Sequence, residues 1–166
     1  MSGQRVEQLE ELLPGIVAAE RPDAVVLLIG YNNLTTPCAV GQVGSLACAN
    51  ATDFTAVGVR DCIRRVKESS AGVKYIFAST LTPPGPTGRN RIDPGAIVET
   101  NVKIRQWIAA ERVTLVESYA AFVGHEAEYV SPDGLHLLPP GYQALADTFF
   151  SVIRTTVTQT PAFGYR

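Results

Sequence analysis

Three short runs limit the possible folds of this chain more than any other feature. They are Ala24–Gly30 (AVVLLIG), Val73–Thr80 (VKYIFAST) and Arg112–Tyr119 (RVTLVESY). Each has strand length and is rich in β-branched or aromatic residues. The first is apolar throughout, without the polar alternation of a half-exposed strand. Such a run reads as a strand buried on both faces, as in a parallel sheet.

Helical periodicity fills the intervals. Val6, Leu9, Leu13 and Ile16 mark an amphipathic helix with Glu7, Glu10 and Glu11 between them. Pro14-Gly15 is expected to kink or split it. A long loop is expected from Tyr31 to about Ala51. A second helix starts near Thr52 or Asp53, both good N-caps. Its inner face is Ala56, Val59, Ile63 and Val66, and it fades at Glu68–Gly72. Leu81–Gly95 (LTPPGPTGRNRIDPG) is too rich in proline and glycine for regular structure. A third helix covers about Asp93 to Glu111, with Ile97, Ile104 and Ile108 inward. Tyr142, Leu145, Phe149, Val152 and Thr156 mark the last helix, and the tail Gln159–Arg166 is expected to be loose. The order helix, strand, helix, strand, helix, strand, helix argues an α/β domain with a parallel sheet and right-handed crossovers. The 166 residues suit a single domain.

Composition excludes several function classes. A net charge of -2 gives no electrostatic basis for binding nucleic acid or an anionic membrane. No apolar segment approaches the length of a membrane span. Three cysteines and two histidines offer no spacing that suits zinc, so neither metal nor cofactor is expected. Cys38 and Cys48 flank a Gly-rich segment. They read equally as a disulfide or as two reduced loop cysteines. The disulfide would place the chain in a secreted or extracytoplasmic setting.

In a parallel α/β sheet, sites lie outside the carboxyl ends of the strands. Tyr31, Asn32 and Asn33 lie at one such end, Thr80 and Leu81 at another, Ser118 and Tyr119 at a third. Asn32 follows its strand by two residues, so its amide can donate into a crevice. Asp133 and His136 occur as Asp-Gly-Leu-His before a proline-opened helix. This i to i+3 spacing lets a carboxylate reach its own histidine. A carboxylate–imidazole pair is the base half of a hydrolytic triad. An amide aimed at a developing oxyanion supplies the other half. Taken singly, Asn32 and Asn33 are turn formers, and Asp133 and His136 a turn residue and a surface histidine. Their convergence on one rim favours chemistry.

These residues resemble the SGNH hydrolases, also called GDSL-type esterases and lipases. Gly30-Tyr31-Asn32-Asn33 is similar to the family's Gly-x-Asn-Asp block, with asparagine at the last place. Asp133-Gly134-Leu135-His136 is similar to its final Asp-x-x-His block, and Ser2-Gly3 to its Ser-Gly block. The resemblance implies a three-layer α/β/α fold with a parallel, flavodoxin-like sheet. It implies His136 as general base and then acid, Asp133 as its orienting carboxylate, and Asn32 (side-chain amide) and Gly3 (backbone N–H) as oxyanion donors. Tyr31 is a candidate for lining the acyl pocket. The implied activity is hydrolysis of a carboxylic ester of a small molecule or sugar, with no metal or cofactor.

One block is missing. No Gly-Asp-Ser occurs in the chain. Against the family the chain reads as N-terminally incomplete, lacking the first two strands and with them the nucleophile. Ser2 is the nearest substitute by sequence, ahead of Ser79, Ser118 and Ser131. The strand at Asp23–Gly30 is therefore expected to have an open edge, covered by a second copy of the chain or by a complementing N-terminal fragment. Two alternatives to an esterase stay open: a non-catalytic ligand-binding module of the same fold, and an inactive fragment.

Overall fold

A computed structural model describes residues 3–69 and 72–159. In chain order the elements are α1 (Val6–Glu20), β1 (Ala24–Leu27), α2 (Tyr31–Leu34), α3 (Leu46–Glu68), β2 (Tyr75–Ser79), α4 (Pro94–Ala110), β3 (Thr114–Val116), α5 (Ser118–Phe122), α6 (Glu126–Tyr129) and α7 (Pro139–Gln159). The strands form one parallel sheet in the order β1-β2-β3. Ala24 aligns with Tyr75, and Phe77 with Thr114. The α/β class with a parallel sheet is as the alternation of strand and helix predicts.

One face of the sheet carries the main core. Leu27, Ile76 and Ala78 pack there with Val17, Ile63, Ile97 and Ile104. The helices α1, α3 and α4 bring those residues in, and α3 packs against both of the others. Each fully buried Ile, Leu or Val contributes roughly 1.5–3 kcal/mol, so this layer holds most of the stability. Gly58 makes the α1–α3 contact close: a Cβ there would lie 2.3 Å from Val6 Cγ2. The opposite face carries Phe77, which alternation turns away from Ile76 and Ala78. Val116, Phe122 and Val130, like Phe77, are buried outside the main core cluster, and α7 packs against β3 and α5.

Three expectations need correction. First, α1 is not split at Pro14-Gly15 but runs as one helix from Val6 to Glu20. Pro14 and Gly15 lie on its exposed side, where a carbonyl left without its helical partner meets water. Second, α3 begins at Leu46 and not at Thr52. Ser45 is its N-cap and accepts from Cys48 N–H at 3.2 Å. With α2, this start divides the expected long loop. Third, β1 is not buried on both faces. Only Leu27 of its residues is buried, and Val26, in register with Phe77, is 49% exposed. β1 pairs with β2 alone among the described strands, whereas β3 is packed against by α7. Residues 160–166 of the tail lie outside the described residues.

The Cys38–Cys48 disulfide is formed, with a Cα–Cα distance of 4.8 Å. It joins the loop after α2 to the first turn of α3. Cys62 is free and buried, its thiol pushed up to about 12, chiefly by burial.

Candidate active site

The turn between α6 and α7 is organised around one carboxylate. Asp133 Oδ1 accepts from the Ser131 hydroxyl at 2.6 Å, from Leu135 N–H at 2.9 Å and from His136 N–H at 3.0 Å. Its Oδ2 lies 2.5 Å from His136 Nδ1. An ionised carboxylate only accepts, so Nδ1 carries the proton of this pair. In the neutral ring Nε2 is then the accepting nitrogen, and no hydrogen bond from it is made among the described residues. The His136 and Ser131 contacts, backed by the two backbone N–H groups, hold the Asp133 carboxyl well below the usual carboxylate range.

A second loop holds this turn from behind, and no local pattern announces it. Gly85 N–H donates to Gly134 O at 3.2 Å, and Asn90 N–H to Asp133 O at 3.2 Å. The approach is backbone to backbone. Gly88 has φ +113, and a Cβ there would lie 2.1 Å from the Asp133 carbonyl carbon. Gly134 has φ +85, and its Cβ would lie 2.5 Å from Thr87 O. Only glycine meets both demands, positive φ and contact distance. The loop is itself anchored by Asn101 of α4, whose amide accepts from Leu81 N–H and donates to Leu81 O at 2.8 Å each.

Asn32 and Asn33 lie in α2, just beyond the carboxyl end of β1, and their amides do different things. Asn33 Oδ1 accepts from Val6 N–H at 3.0 Å, and its Nδ2 donates to Glu7 Oε2 at 2.9 Å. It thus caps the first turn of α1 from a distance. An aspartate in its place would keep the first bond and repel Glu7, which accounts locally for asparagine here. Asn32 Nδ2 donates to Gln4 O at 2.9 Å. An amide nitrogen has two N–H donors, so one remains for a further acceptor. Tyr31 is tied to the loop after β2: its hydroxyl donates to Thr82 O and lies 2.9 Å from Thr82 Oγ1. Burial pushes this phenol well above its usual value.

These residues meet at one cleft of about 600 Å³, lined by Gly3, Leu28, Tyr31, Asn32, Leu135, His136, Leu137 and Tyr142. Asp133 stands behind His136. Thus Gly3, Tyr31, Asn32 and His136, singled out from sequence, share one wall-to-wall space, although more than 100 residues separate Asn32 from His136. No described serine lines it. Ser79 and Ser118 are buried and bonded to each other at 2.7 Å, and Ser131 is engaged with Asp133. Ser2 lies outside the described residues. No group of three or more His, Cys, Asp or Glu side chains suited to a metal ion occurs among the described residues.

Among the described residues no helix is long and apolar enough to cross a membrane. No curated protein matches the chain. Several solved structures match its fold. A GDSL-like lipase from Bacteroides thetaiotaomicron superposes with a TM-score of 0.69 at 20% identity, covering 93% of this chain and 73% of that one. A lipase/acylhydrolase from Enterococcus faecalis gives 0.69 at 20%, over 93% and 72%. An acetylxylan esterase from Geobacillus stearothermophilus gives 0.69 at 21%, over 92% and 68%. At such identities the likeness is one of fold. The profile of the GDSL-like lipase/acylhydrolase family matches residues 1–144. The chain belongs to the GDSL-like lipase/acylhydrolase family.

Proposed function

We propose that this chain carries the base and oxyanion machinery of a carboxylic ester hydrolase. His136 takes the proton of an attacking hydroxyl at Nε2 and returns it to the leaving alcohol. Asp133 fixes the tautomer and stabilises the imidazolium. The free N–H of Asn32, with the backbone N–H of Gly3, receives the oxyanion of the tetrahedral intermediate. Tyr31 and Leu28 line the space for the acyl group. The observation that carries this reading is the Asp133–His136 pair, opening onto the same cleft as Asn32. Family membership and the esterases among the similar structures support it. One of those structures is an acetylxylan esterase, which makes sugar esters, beside small-molecule esters, the first substrates to try.

The nucleophile is assigned to a serine outside the described lining. Ser2, next to Gly3, is one source. The other is a serine on a strand added at the free edge of β1 by a second copy of the chain or by a separate segment. That edge ends beside the cleft and has no strand partner among the described residues. Sedimentation velocity tests the second source: a strict monomer showing full Ser2-independent turnover excludes it. The disulfide is in keeping with an oxidising, extracytoplasmic setting.

Turnover of p-nitrophenyl acetate tests the reading. Asn32→Ala is expected to lower kcat by about 10²–10³ with little change in KM. An unchanged kcat removes Asn32 from the mechanism. Binding of an ester without turnover by the wild type favours a non-catalytic module instead.

A further inference from the structure

Ser131 uses each of its polar groups inside the turn that carries the Asp133–His136 pair. Its N–H donates to His136 O at 2.7 Å, and its C=O accepts from Gly134 N–H at 2.9 Å. Its hydroxyl donates to Asp133 Oδ1 at 2.6 Å and accepts from Asp133 N–H at 3.3 Å.

The chain around it explains why the serine stands still. Ser131-Pro132-Asp133-Gly134 places serine first, proline second and glycine last, which are the residue preferences of a tight turn closed between its ends. On either side of the turn, Val130 and Leu137 form an antiparallel bridge, and Leu138 N–H donates to Tyr129 O at 2.8 Å. Val130 is buried and lies against the supporting loop: a Cβ on Gly85 would be 3.0 Å from Val130 Cγ1. The backbone of Ser131 is therefore fixed from several directions. A hydroxyl has one proton to give, and this one goes to Asp133.

The consequence falls on the carboxylate. Leu135 N–H and His136 N–H reach Asp133 Oδ1 from residues that follow it, and the Ser131 hydroxyl reaches it from a residue that precedes it. The serine contact is the shortest of these, as befits a hydroxyl donating to an ionised group. The last torsion of an aspartate is soft. Donors from one side alone leave it free to swing, and the hydroxyl from the other side stops that motion. With Oδ1 occupied in this way, Oδ2 is the oxygen that meets His136 Nδ1.

We infer that Ser131 is a positioning residue of the Asp133–His136 pair, its hydroxyl holding the carboxylate so that Oδ2 faces the imidazole. The same commitment of its hydroxyl proton removes Ser131 from the candidate nucleophiles. That the orientation serves turnover rests on the esterase reading; the orientation itself does not.

Ser131→Ala and Ser131→Thr test the inference in the full chain by two readouts. Proton–nitrogen correlation spectra of the His136 ring show which nitrogen carries the proton. The wild type and Ser131→Thr, which keeps the hydroxyl, are expected to hold it on Nδ1, and Ser131→Ala to give a mixture of tautomers. In turnover of p-nitrophenyl acetate, Ser131→Ala is expected to lower kcat about ten- to hundredfold with KM within about twofold, and Ser131→Thr to restore it. Added to Asp133→Asn, Ser131→Ala is expected to cost no further kcat, because the group it orients is already gone. A tautomer unchanged in Ser131→Ala overturns the inference. So does an equal loss in the alanine and threonine variants, or a loss that adds in full to that of Asp133→Asn. Either would give Ser131 a part in the fold of the turn alone. A wild type without ester turnover removes the esterase reading, and the tautomer still decides the role of Ser131.

Discussion

Asp133 shows how one residue carries several functions. It accepts from Ser131, Leu135 and His136 N–H through one oxygen and faces the His136 ring with the other. An amide in its place can mimic the shape but must donate with one of its two atoms. Asp133→Asn is therefore expected to reduce kcat/KM by about 10³–10⁴, chiefly by favouring the wrong tautomer of His136. Steady-state kinetics at fixed pH checks this. The same residue sets a dependence of stability on pH. Its folded pKa lies below the unfolded value of about 3.9, so the unfolded chain takes up the proton first. Its stabilisation is complete above that value and is lost as pH falls toward the folded one. Thermal midpoints from about pH 5 to pH 2 should fall more steeply for the wild type than for Asp133→Asn. At this scale the sequence was legible where chemistry is local. Asp133 and His136 are three residues apart, and Asn32 follows its strand directly. The support from Gly88, Asn90 and Asn101 was not legible, because it comes from contacts across 20 to 45 residues of chain.

Among the elements, the contact between α1 and α3 is set by a missing side chain. A Cβ on Gly58 would meet Val6 at 2.3 Å, so Gly58→Ala is expected to destabilise by about 1–3 kcal/mol through overpacking. Gly15, in the interior of α1, faces open space, and Gly15→Ala is expected to stabilise by about 0.5–1 kcal/mol. Urea denaturation of the two variants should give opposite signs. Most helix faces were legible, since Ala56, Val59, Ile63 and Val66, and Ile97, Ile104 and Ile108, are all buried. Boundaries were less so. The N-capping character of Thr52 and Asp53 points to a start there, but the first turn of α3 is set by the Ser45 cap and the disulfide, upstream of both residues. The β1 run misled in another way. A continuous apolar run signals burial on both faces, yet burial needs a neighbour, and no described element covers Val26.

The molecule as a whole is one sheet with a well-filled helical layer and a thinner one. The disulfide braces the rim where β1 delivers Asn32. Reducing Cys38–Cys48 is expected to lower stability by roughly 2–3 kcal/mol, given a sequence separation of 10. Denaturation with and without a reductant measures this, and native Cys62 should stay unreactive to a thiol reagent, being buried with its thiol pushed up to about 12. The fold class was legible from the alternation of strands and helices. The cleft was legible only as a rim until the chain was folded, since its two walls come from opposite ends of the sequence. We propose His136 as the base of an esterase. The most direct measurement is kcat/KM for p-nitrophenyl acetate in the wild type and His136→Ala, side by side. Wild-type turnover is expected to be measurable and to fall by about 10³-fold or more in the variant. Equal turnover by the two proteins would contradict the proposal.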